Sequence, residues 1–261
     1  MFDLIDNAHI AVPGMMLVMA RLSGMFLTFP VFSSNSISNR IKIAMVLLFT
    51  LVISPNFYQT YPKIENFLQL GVMTIKELCI GFTLGFGTSV IFETFSIAGM
   101  FIGRQIGLSM AQSIDPNTNN QTEIISQIFL LLMTVYFLIS NGHYLVIETF
   151  YKNFKLIPLG TGIFSPVLGR NIVHSGSDAF RLALNFAGPT LIFMLLVESA
   201  VAITVRVMPE MNAFFITLPL RIGCGVFALI NSLNIFQLMY PTIYEFVYQY
   251  IGSSLSQLRG V

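Results

Sequence analysis

Seven ionisable side chains stand inside or at the ends of apolar runs: Arg21, Lys76, Glu77, Glu93, Glu198, Arg206 and Arg221. A bare charge at the centre of a bilayer costs about 2.5–3.5 kcal/mol on insertion scales. Each must therefore pair with an opposite charge, reach the membrane surface or face water. Three chemistries follow: ion pairs that fix helix order, a polar lining or intersubunit contact, and a proton relay. The ion pair is the plainest of these, and spacing alone does not say which residues pair.

Other reactive constellations are missing. Cys79 and Cys224 both sit in apolar segments, as small buried hydrophobes do. There is no CxxC, and His9, His143 and His174 are far apart, which argues against a zinc site. No GxxxxGK[ST] occurs, and the G-x-G of Gly85 and Gly87 lacks a nucleotide-binding context. No Ser/His/Asp set marks a hydrolase, so an enzyme is not expected, nor any cofactor. A formal net charge of +1 offers no nucleic-acid footprint.

Two non-catalytic patterns remain. Gly99, Gly103 and Gly107 recur every four residues, which lines one helix face with small residues and lets another backbone approach. Gly81, Gly85 and Gly87 form a second such patch. After Gly107 runs a polar, turn-rich connector, residues 107–123, containing Met110, Gln112, Asp115, Pro116, Asn117, Asn119 and Asn120. Asp115-Pro116 opposes helix continuation, and polar amides build no core, so the residues by themselves read as a solvated loop. The 25 Phe and 14 Met read first as core, with a deformable gasket as the alternative.

The elements that must position these residues are helices. Hydrophobic residues make up 55% of the chain, charged residues 10%, and mean hydropathy is +0.77. Soluble domains carry about 25% charged residues, so lipid or other apolar subunits must cover this surface. Apolar stretches occupy residues 10–30, 41–54, 67–103, 124–147, 182–205 and 212–250, too long and without the alternation that strands require. The N-terminus carries Asp3 and Asp6 in place of the basic start of a cleaved signal, so the first stretch is expected to stay. One helix over 67–103 would extend about 55 Å, against a hydrocarbon core of about 30 Å. That stretch must protrude, fold as a hairpin or be wrapped by protein. Residues 212–250 pose the same problem, with Pro219 and Pro241 as candidate kinks. Lys and Arg show no clear bias to one side of six crossings. No tandem repeat or linker divides the chain, so a single domain over 1–261 is expected.

Four motifs in order resemble the FliR family, whose injectisome relatives are the SctT-type proteins. They are Arg21-x-x-x-Met25-Phe26-x-x-x-Pro30-x-Phe32 with Arg40-x-Lys42, and Gly103-x-Gln105-Ile-Gly107-Leu-Ser-Met-Ala111 with Asp115-Pro116. Then come Ser140-Asn141-Gly142-His143 with Phe154 and Pro158-Leu-Gly160, and Arg206-x-Met208-Pro209-x-Met211-Asn212-x-Phe214 with Pro219-Leu220. The resemblance implies an all-α integral membrane protein of long kinked helices and helical hairpins, packed into a helical hetero-oligomer. Its expected partners are FliP-like and FliQ-like export-gate subunits and a FlhB-like subunit. Its expected place is the bacterial inner membrane, in the flagellar basal body. Its expected role is part of the type III pore that exports unfolded flagellar proteins. By the same likeness residues 1 to about 175 would be FliP-like and 176–261 FliQ-like, and residues 106–122 would match the family's pore plug. Glu198 lies outside the family pattern. A secondary transporter of small solutes, coupling through Glu93, Glu198 and Arg206, is the alternative.

Overall fold

Backbone groups in lipid must be satisfied within the segment, and helices satisfy them. The computed structural model describes residues 8–33, 37–62, 64, 66–107, 124–162, 166–207 and 213–259, and among them there is no strand. Helix α1 covers Ala8–Thr28, α2 is the short Pro30–Ser33, and α3 is Asn39–Ile53, running on into a 3-10 helix at Ser54–Thr60. Then follow α4 (Phe67–Ile106), α5 (Ile124–Ile139), α6 (Gly142–Leu156), α7 (Pro166–Val207) and α8 (Ala213–Arg259).

Three of these are far longer than a membrane crossing needs. α4 has 40 residues, α7 has 42 and α8 has 47, about 60, 63 and 70 Å at 1.5 Å per residue. The hairpin option for residues 67–103 is thereby removed, because α4 is one uninterrupted helix. Pro189, Pro219 and Pro241 all lie inside helices that continue through them. Five helices are long and apolar enough to cross a membrane, over Ala11–Thr28, Asn39–Phe57, Phe67–Val90, Leu168–Val207 and Thr217–Met239. α5 and α6 together would make a sixth. The single stretch expected at 124–147 is broken instead at Ser140–Asn141. Asn141 has φ 60°, a left-handed conformation that Asn tolerates better than most residues, and the next helix starts from it.

The chain forms two compact units. The first comprises Met1–Val90, Phe137–Gly176 and Phe246–Val261. Here α1 crosses α4 backbone against backbone: a Cβ on Gly24 would strike the carbonyl of Leu78, and one on Gly81 the carbonyl of Arg21. Phe26 anchors an aromatic cluster, with ring centroids 4.7 Å from Phe32, 5.6 Å from Phe49 and 6.2 Å from Phe150. The last turns of α8 close this unit, with Tyr250 packed on Gly87 and its hydroxyl donating to the Thr83 carbonyl at 3.2 Å.

The second unit comprises Ile91–Tyr136 and Ser177–Glu245. Its centre is an aromatic nest drawn from four helices. Phe186 of α7 meets Phe95 of α4 and Phe129 of α5 edge-on at 5.2 Å each, and Phe236 of α8 lies 4.7 Å from Phe95. Phe95, Phe129 and Phe186 are fully buried, as are Met133 and Met194, so these Phe and Met residues are core. Phe193 against Phe227, and Glu198 against Arg221, set α7 and α8 as an antiparallel hairpin. The two units interleave along the sequence, so they describe packing. The division near residue 175 concerns likeness to other proteins.

Candidate functional site

The first unit holds a fully buried ion pair. α1 carries Arg21 and α4 carries Glu77, and both side chains are 0% exposed. Glycines 24 and 81 let the two backbones touch beside them, which brings the pair within reach. Arg21 Nε donates to Glu77 Oε2. Arg21 Nη1 donates to Asn153 Oδ1 at 3.3 Å and to the Ile157 carbonyl at 2.9 Å. The other Glu77 oxygen, Oε1, accepts from the backbone N–H of Gly160 at 2.7 Å. Gly160 has φ 81°, which turns the chain there and which a side chain would resist. The guanidinium lies 4.9 Å from the ring centroid of Phe154, a cation–π distance.

One pair thus ties together α1, α4, the end of α6 and the loop after it. Arg21 Nη2 and Asn153 Nδ2 are buried without a partner among the described residues. The carboxylate therefore carries most of the compensation for the Arg21 charge. Among the described residues no titratable group other than Arg21 is bonded to Glu77. This arrangement suits a lock between helices and supplies no chain of groups for a proton to follow.

The second unit holds a partly exposed pair. Arg221 Nη2 of α8 donates to Glu198 Oε1 of α7 at 2.8 Å, with the side chains 27% and 30% exposed. Glu198, which sequence reasoning left without a role, thus balances Arg221. It does not engage Glu93 or Arg206, the companions assigned to it in the transporter reading. Lys76, Glu93 and Arg206 are exposed and form no ion pair with a described residue.

The three regularly spaced glycines do different work. Gly99 faces α5, where a Cβ would come 2.6 Å from the Ser126 Cα. Gly103 is buried. Gly107 ends α4: with φ 87° its N–H reaches back to the carbonyls of Gly103 (3.2 Å) and Arg104 (3.1 Å), a left-handed C-cap. Of the connector, Met110, Gln112, Asp115, Pro116, Asn117, Asn119 and Asn120 lie outside the described residues. Asn153 and the Ile157 carbonyl were not anticipated, because no local pattern marks a helix residue that will meet a distant arginine. Gly160 sits in one of the motifs singled out above.

The sequence matches the family of "Bacterial export proteins, family 1" over residues 12–246, from α1 into α8. The flagellar biosynthetic protein FliR of Bacillus subtilis (strain 168) is 28% identical over 255 residues, covering 95% of this chain and 96% of the relative. FliR of Aquifex aeolicus (strain VF5) is 29% identical over 216 residues, 82% of each chain. FliR of Escherichia coli (strain K12) is 27% identical over 206 residues, 79% of this chain and 78% of the relative. The match runs through both ion pairs and every long helix, and the chain belongs to the bacterial export proteins of family 1.

Proposed function

We propose that this protein is a FliR-type subunit of the flagellar type III export gate, a non-enzymatic part of the pore through which unfolded flagellar proteins leave the cell's inner membrane. Its partners would be FliP-like and FliQ-like subunits and a FlhB-like subunit. Residues 1 to about 175 would take the FliP-like role and 176–261 the FliQ-like role, with the α7–α8 hairpin as the core of the latter.

One observation carries the reading, the exposed stripe of α4. Leu68, Val72, Ile75 and Phe82 are exposed at helical spacing, and three turns beyond Phe82 stands the exposed carboxylate of Glu93. The helix is about 60 Å long. A bilayer about 30 Å thick cannot cover it end to end, and lipid is a costly neighbour for a carboxylate. Sister subunits can cover such a stripe. The small-solute transporter has less support, since Glu198 is committed to Arg221.

Copurification tests this. Tagged chain coexpressed with its two small apolar partners should elute as one hetero-oligomer, and the chain alone should aggregate. A well-behaved monomer that ignores those partners would refute the proposal. The connector would act as the gate's plug. Deleting residues 110–120 should let ions leak through membranes holding the assembled complex, and unchanged conductance would refute that part.

A further inference from the structure

In the first unit α1 and α3 pack against each other, and a groove runs between them. Its cavity measures about 370 Å³, within the range of about 300–1,000 Å³ typical of small-molecule sites. Buried Phe26 and Val46 line it together with exposed Met19, Leu27, Ile43 and Leu47. These positions recur at helical spacing, so each helix turns one apolar face to the groove. Ser23 makes room among them. It is small, and its hydroxyl folds back to donate to the Met19 carbonyl at 2.7 Å, which leaves no unbonded hydroxyl proton in the groove. The remaining lining residues, Asn39 and half-buried Lys42, both stand in the first turn of α3.

We propose that this groove holds one acyl chain of an anionic phospholipid, with the lipid phosphate at Asn39 and Lys42. The apolar span of α1 ends at Thr28 and that of α3 begins at Asn39. The polar end of the groove therefore lies at one face of the bilayer, where a headgroup sits, and the apolar lining runs inward from it. Lysine suits that place, since its stem lies along an apolar wall while its ammonium reaches the headgroup level. Arg40 stands exposed two residues before it, and residues 7–64 contain no Asp or Glu. Local charge thus favours an anionic headgroup, as basic pockets between membrane helices do. Ser38 caps α3 without a side-chain hydrogen bond, so no capping group offsets the partial positive charge of that helix end. Depth decides between a lipid and a protein helix as occupant. The lining runs from Asn39 to Leu47 on α3 and from Leu27 to Met19 on α1, about 12 Å on each. That is less than half of a hydrocarbon core about 30 Å thick. An acyl chain from one leaflet matches it, whereas a neighbouring transmembrane helix would need an apolar face along the whole crossing. Such a site requires only that α1 and α3 cross the membrane, whatever the complex exports.

The test uses membrane vesicles from cells expressing the full chain with its partner subunits. They are loaded with phosphatidylglycerol or phosphatidylcholine, each carrying a photoactivatable diazirine midway along an acyl chain. After irradiation the chain is isolated, and label on the peptides of α1 and α3 is read as a share of all label on it. Phosphatidylglycerol should give a share several-fold above phosphatidylcholine. R40Q/K42Q should bring the two lipids to the same share, and K42R should keep the preference. S23F fills the groove and should lower the share from both lipids, with labelling elsewhere on the chain unchanged. If S23F is lost from the membrane, I43W is read in its place. Equal shares for the two lipids on the unsubstituted chain, or a preference that survives R40Q/K42Q, would overturn the headgroup assignment. A share that the groove-filling variant leaves unchanged would overturn the groove as the site. Label that appears only when the partner subunits are omitted would put a sister subunit in the groove and overturn the proposal.

Discussion

Removing the carboxylate of Glu77 is the most informative single perturbation of the fold. Arg21 then stays at zero exposure with its remaining bonds to Asn153 Oδ1 and the Ile157 carbonyl, and with Nη2 still unpartnered. Breaking a buried pair by removing one member costs about 3–5 kcal/mol, because an uncompensated charge remains. Glu77→Ala also orphans the Gly160 N–H, a further loss of about 1–3 kcal/mol. Glu77→Gln can still accept that N–H and should be milder than Ala by about 1 kcal/mol. Each kcal/mol moves the melting midpoint of a chain this size by about 2–4 °C, so Glu77→Ala should lower it by roughly 6 °C or more. The assay is thermal unfolding of the purified complex in detergent. The decisive member of the series is R21M/E77L, which takes away both charges and fills the space with apolar atoms. Replacing a buried pair in this way is often neutral, so the double variant should be more stable than either E77A or R21A. A double variant whose loss equals the sum of the two singles would refute the lock, as would an E77A loss below about 1 kcal/mol, the range of exposed pairs.

Other substitutions probe the packing and the surface. Gly81→Leu should destabilise by the upper end of about 1–3 kcal/mol, since the obstructing atom is the Arg21 backbone carbonyl and cannot swing aside; thermal unfolding checks it. Phe186→Ala empties the middle of the aromatic nest and should cost about 3–5 kcal/mol by the same measurement. At Gly107 the order of tolerance should be Asn, then Ala, then Val, because φ 87° suits Asn and is worst for a β-branched residue; vesicle leak and complex yield both report it. Glu93→Leu should leave chain stability within about 0.5 kcal/mol, as exposed positions do, while reducing copurification with partner subunits. Unchanged copurification would count against a protein contact at that carboxylate.

The two ion pairs differ in burial. Arg21–Glu77 is dry, bonded on several sides and built on crossing backbones, which suits a part that must not move. Glu198–Arg221 is partly exposed and joins α7 to α8 by a single described contact.

Much of this was legible along the chain. Hydrophobic length and the absence of alternation are local properties, and a backbone in lipid has few ways to bond itself. The helical class, the overlong stretches and the family motifs could therefore be read residue by residue. The role of individual residues could not. Arg21 and Glu77 are 56 positions apart, and Glu198 chose Arg221 over nearer Arg206 because that is the face α8 turns to it. Gly99 and Gly107 look alike in a repeat of four, yet one accommodates the α5 backbone and the other ends α4. Asn141 breaks a run with no charge and no proline in it. Which side chains meet depends on where helix faces cross, and that is set by close packing among residues far apart in sequence, so only the tertiary structure could decide it.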